Sequence, residues 1–126
     1  MALALTNIKF DAVNGIWTAL GTNDGSAAAQ SIYPGFKPRL CRVDNVTDAT
    51  VYFFNENMAA GKAIKTVTAG TTTYLAANGF TLLDSAASSG AATAATGQSP
   101  TAAAGGVTLG TDICAASKSL MITLER

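Results

Sequence analysis

Nowhere in this chain of 126 residues does an apolar stripe at helical spacing run longer than two turns. What recurs is a short alternating or β-branched run closed by a turn dipeptide, and that pattern directs the chain to an all-β fold. Leu3, Leu5, Ile8 and Phe10 mark an N-terminal extended segment. Ile16, Thr18 and Leu20 alternate with Trp17 and Ala19 in the next, and Asn14-Gly15 between them is a hairpin-turn dipeptide. Asn23, Asp24 and Gly25 form a turn cluster that leaves Ala27 to Gln30 room for one helical turn at most. Pro34, Gly35 and Pro38 impose an irregular, extended connection before Leu40 to Val46. Thr47 to Thr50 then turn into Val51 to Phe54, and this VYFF run is the strongest strand signal in the chain.

Lys62 to Val67, the Ala69-Gly70 turn and Thr71 to Leu75 predict a second, threonine-rich hairpin. Asn78-Gly79 precedes a strand at Phe80 to Leu83, and Val107 to Leu109 and Ser119 to Leu124 complete the set. In the last of these, Leu120, Ile122 and Leu124 face one way, toward a core, and Met121, Thr123 and Glu125 the other. About eight short strands in a single domain, 1–126, predict a β-sandwich or jelly roll, with a small β-barrel as the alternative.

One stretch departs from this pattern. Ser85 to Gly106 reads SAASSGAATAATGQSPTAAAGG, with neither a charge nor a large apolar side chain. Gly90, Gly97 and Pro100 cut it below the length at which an isolated helix persists, so the 85–106 insert reads as a long, flexible or extended loop. Two roles are open: an arm that orders against a neighbouring subunit, with small side chains allowing close backbone approach, or a tolerated insertion. Its flanks, GFTLLD (Gly79 to Asp84) and GVTLGTD (Gly106 to Asp112), resemble each other, which reads as paired strands of one hairpin with the insert as its tip or, alternatively, as a chance similarity within so biased a composition.

Eight basic and eight acidic residues balance, charged residues make up 13%, and there is no histidine. The balance gives no basic footprint for nucleic acid, and the lack of histidine removes the commonest general base and metal ligand. Much of the 48% hydrophobic content is alanine, so the core is thin and assembly is expected to supply part of the stability. The start, MALALTNIKFDAV, has no positive n-region and loses its apolar character at Thr6 and Asn7, which predicts neither a signal peptide nor a membrane span, and a chain made in the cytoplasm. Cys41 and Cys114 lack metal or redox spacing and read as buried, reduced thiols, with a mutual disulfide as the alternative.

The carboxylates mostly sit beside Asn, Gly, Thr or Ser and read as turn caps. Asp44, Asn45 and Asp48 (DNVTD) lack the remaining ligands of a calcium loop, and Gly61-Lys62 lacks the upstream glycine of a phosphate cradle. No enzyme, cofactor or metal is therefore expected. The aromatics offer a binding role instead. Phe53 and Phe54 are adjacent and must point to opposite faces, so one of them is free to meet a partner. The candidate contact residues are Trp17, Tyr33, Phe36 and Phe54, with Ser85, Gly97 and Pro100 in the insert.

The MALALTNIKF start, the charge-poor composition, the run KPRLCRVDNVTDATVYFFNEN (Lys37 to Asn57), the threonine-rich KTVTAGTTTYL and an Ala/Ser insert before SLMITLE together resemble small virion proteins of tailed bacteriophages, particularly capsid decoration or cement proteins. That resemblance implies a β-sandwich that self-associates as a dimer or trimer and docks on the outer capsid surface of the virion, its partners being its own copies and the major capsid protein, with no nucleic acid and no membrane. Two alternatives stand beside it: a carbohydrate- or receptor-binding module using Trp17, Tyr33 or Tyr74 as stacking platforms, and another head or tail component.

Overall fold

A computed structural model describes residues 3–84, 94–97 and 105–126. These contain nine strands and no helix: β1 (Leu3–Asp11), β2 (Ile16–Asn23), β3 (Gln30–Ile32), β4 (Leu40–Asn45), β5 (Thr50–Asn55), β6 (Lys62–Thr66), β7 (Thr72–Leu83), β8 (Gly106–Leu109) and β9 (Ser119–Glu125). They form one sheet in the order β1-β2-β9-β4-β5-β6-β7-β8-β3, each neighbouring pair antiparallel. The all-β class is as expected, and the sheet curls into a nearly closed barrel, the second of the two architectures anticipated.

Cross-strand pairing stacks the inward side chains in rows. Trp17, Leu124, Cys41 and Phe54 lie in one, and Ala19, Ile122, Val43 and Tyr52 in the next. All eight are buried. Leu120, Ile122 and Leu124 do face the core, and Phe54 packs on Phe80 of β7 with ring centroids 5.7 Å apart. This interior fills the barrel with side chains, so function is carried on its outside and at its ends.

The hairpins follow the sequence closely. Between β1 and β2 the Asp11 carboxylate accepts the backbone N–H groups of Val13 and Asn14 and the Asn14 side-chain amide, while Gly15 takes the left-handed φ of +69° that closes the turn. Asn45 plays the same part after β4, accepting the N–H groups of Thr47 and Asp48. The flanks of the insert do pair, Phe80 with Leu109 through Leu83 with Gly106.

Three features differ from expectation. Strand β3 was not anticipated, because two of its three residues, Gln30 and Ser31, are polar yet buried. Thr71 to Leu75 and Phe80 to Leu83 are one bent strand: β7 turns a corner at 76–79, with Asn78 at φ +64° and Gly79 lying so close to Lys62 that a Cβ would collide with its carbonyl. A bulge at Asn7, φ +51°, shifts the register of β1, so Phe10 pairs with Trp17 and carries on the inward phase of Leu3 and Leu5.

The insert is also not wholly a loop. Ala94 bridges Ser31 of β3 and Thr96 bridges Ala4 of β1, both in parallel sense, so Ala94–Thr96 stands between the two edge strands of the sheet. Ala95 N–H donates to the Ser31 carbonyl, Thr96 N–H to that of Leu3, and Leu5 N–H to that of Thr96, each at 2.9 Å. Ala95 is buried in the core cluster, and the Gln30 side chain crosses the same gap to accept the Leu3 N–H at 3.4 Å. That explains the buried glutamine: its amide satisfies backbone at the seam where the barrel shuts.

Candidate functional site

Two adjacent rows of outward residues cross β2, β9, β4, β5 and β6, flanked by a third that holds Ile16, Glu125, Leu40 and Asn55. One runs Leu20, Met121, Asp44, Val51, and the other Thr18, Thr123, Arg42, Phe53, Ile64, Tyr74. On a solvated antiparallel sheet such positions usually carry charge. Within the two named rows they are apolar or threonine except for Arg42 and Asp44, which bond to each other at 3.1 Å, while Lys9 of β1 borders Thr18 and Glu125 lies in the flanking row. Leu20, Met121 and Tyr74 are 42%, 46% and 61% exposed. Beside the β1 bulge the face dips into an open groove of about 330 Å³, lined by Asn7, Lys9, Thr18, Leu20, Met121 and Thr123.

Charge is concentrated elsewhere and is largely self-compensated. Among the described residues, Lys37 pairs with Asp84 at 2.8 Å, Arg39 with Glu56 at 3.5 Å, and Lys118 with Asp48 at 3.1 Å. Lys65 is an inward position on β6, in register with Tyr52. Its ammonium bonds Asp112 at 3.2 Å and stands 5.5 Å from the Tyr52 ring centre, and the Tyr52 hydroxyl donates to the same Asp112 carboxylate at 3.3 Å. Burial, then the Asp112 charge, raises the Tyr52 hydroxyl well above its ordinary range. This trio pins the β8–β9 connection to the barrel wall. Asp44, Asn45 and Asp48 are engaged with Arg42, the β4–β5 turn and Lys118, and no group of three or more metal-ligating His, Cys, Asp or Glu converges among the described residues.

The candidate contact residues fall in different places. Trp17 and Phe54 are interior side chains, 4% and 2% exposed, and present no surface to a partner. The parity of β2 explains the first: Trp17 shares a face with Ala19, opposite Leu20. Tyr33 is buried over Gly106, where a Cβ would stand 2.7 Å from its ring. Phe36 is half-buried against Phe10, centroids 5.6 Å apart, at one end of the barrel. Gly97, at φ +91°, belongs to the seam. Ser85 and Pro100 lie outside the described residues. Of the adjacent phenylalanines it is Phe53 that faces out.

Leu20, Met121, Phe53 and Ile64, none of them among the candidate contact residues, are large apolar side chains that face outward. Strand alternation in the sequence already sets Met121 on the outer face of β9 and Leu20 out of phase with Trp17. Cys41 and Cys114 are both free and buried, and burial pushes each thiol up to about 12. No protein-family model, curated protein or solved structure matches this chain.

Proposed function

We propose that this chain is a structural protein of a tailed-phage virion that docks on the outside of the capsid across neighbouring major capsid protein subunits and so stabilises the shell. The observation that carries this reading is the outer face of β2, β9, β4, β5 and β6. Leu20, Met121, Val51, Phe53, Ile64 and Tyr74 adjoin there, and Arg42 and Asp44 among them bond to each other. Removing such a face from water costs little polar desolvation and gains roughly 25 cal/mol per Å² of apolar area.

A decoration protein that binds the assembled lattice and not the dissociated subunits adds its binding free energy to the shell by mass action. Repetition over a symmetric surface multiplies a modest interface. Co-sedimentation with expanded capsids of the cognate major capsid protein, read beside the temperature of shell disruption, tests this: bound protein and a raised disruption temperature are expected, and absence of binding to both unexpanded and expanded shells refutes it. The sugar-binding alternative loses support because two of its three stacking rings, Trp17 and Tyr33, are buried.

A further inference from the structure

We propose that the Ala94–Thr96 strand is exchangeable between copies: a second copy of this chain can place its own Ala94–Thr96 in the slot between β1 and β3, so that neighbouring barrels close one another. The proposal does not rest on what the outer face binds.

Four observations carry it. The segment is joined to the barrel on both sides only by stretches without a charge or a large apolar side chain. Among the described residues it is held by three backbone hydrogen bonds and the buried methyl group of Ala95, against the seven-residue pairings that hold β9 to β2 or β1 to β2. Without it the edges of β1 and β3 lose those partners, and unpaired edges recruit a strand from another chain. The contour from Asp84 to Ala94 and from Gly97 to Gly105 reaches at most roughly 33 and 26 Å, several strand spacings of about 4.8 Å, enough for a neighbour whose seam lies alongside.

The slot is selective for this segment. Ala95 is buried in the core cluster, and the residue after Thr96 must be glycine, since a Cβ at Gly97 would stand 2.5 Å from the Leu5 carbonyl oxygen and φ is +91°. The adjoining Ala91-Ala92-Thr93 repeats Ala94-Ala95-Thr96 but is followed by alanine, so Gly97 fixes which triplet fits. Exchanged and unexchanged barrels contain the same contacts, and the balance is set by effective concentration, which rises steeply for copies held side by side.

The test uses full-length chains. Ala4 and Thr96 are exposed bridge partners, and the native thiols are buried. Ala4→Cys and Thr96→Cys single variants are mixed at high concentration, unfolded, refolded together and oxidised, with Val13→Cys, at the far end of β1 and 91% exposed, replacing Ala4→Cys to set the level of collisional cross-linking. A dimer linked specifically through positions 4 and 96, at least fivefold above the Val13→Cys level, is expected. The double variant Ala4→Cys/Thr96→Cys reports the seam itself through an intramolecular disulfide in dilute solution. If the double variant closes on itself while the mixture stays at the collisional level, exchange does not occur; if the double variant does not close, the seam is absent and the proposal falls with it.

Discussion

Cys41 and Cys114 are buried in the core cluster, and their protons respond to folding. Below the unfolded thiol value near 9 both states keep the proton and stability is indifferent to it. Above 9 the unfolded chain releases protons that the folded chain retains up to about 12, so stability falls as pH rises through that window, by at most about 1.4 kcal/mol per pH unit for each thiol. The raised Tyr52 hydroxyl adds a loss of the same sign at still higher pH. Denaturant titrations between pH 8 and 11 should show this slope, and Cys41→Ala with Cys114→Ala should flatten most of it; an unchanged slope in the double variant would assign the effect elsewhere. Glycines separate by their surroundings in the same way. Gly79→Ala should cost about 2 kcal/mol because the methyl meets the Lys62 backbone, whereas Gly25→Ala, with nothing within 4 Å, should leave the unfolding midpoint nearly unchanged.

At the scale of the element, the seam strand offers the sharpest prediction. Ala95→Asp places a carboxylate in the core and should cost about 3 kcal/mol or open the seam locally, in which case the amides of Leu5 and Thr96 lose hydrogen-exchange protection while those of β4 and β9 keep theirs. Equal protection of the Leu5 amide in the variant and the parent would contradict the assignment. Elements with a clean period or a strong turn were legible in the sequence: the β1–β2 and β6–β7 hairpins, β5, the inward face of β9, and the pairing of the insert's flanks. What was not legible depends on tertiary neighbours. Gln30 and Ser31 carry no strand pattern because their polar groups are satisfied across the sheet, Gln30 by Leu3 and Ser31 by Thr108 at 2.9 Å. Ala94–Thr96 carries none because alanine and threonine show no periodicity in a segment built of little else. The insertion of β9 between β2 and β4 is a long-range choice that no local run encodes.

For the whole molecule, the scarcity of charge acquires a location. Lys37–Asp84, Arg39–Glu56 and Lys118–Asp48 pair away from the outer face, whose two named rows carry, apart from the Arg42–Asp44 pair, side chains that lose little on leaving water. The candidate site was thus half legible: alternation assigned Met121 outward, while the choice of Trp17 followed size and not parity. Leu20 and Met121 are cross-strand partners, so Leu20→Glu with Met121→Lys replaces apolar surface by an opposite-charge pair that should shift fold stability by less than about 1 kcal/mol. The decisive measurement is the affinity of the parent and of this double variant for expanded capsids of the cognate major capsid protein, determined by co-sedimentation at equal salt. Saturable binding by the parent and a loss of more than tenfold in the folded variant are the predicted results. A parent that stays in the supernatant, or a folded variant that binds as tightly as the parent, would contradict docking through this face.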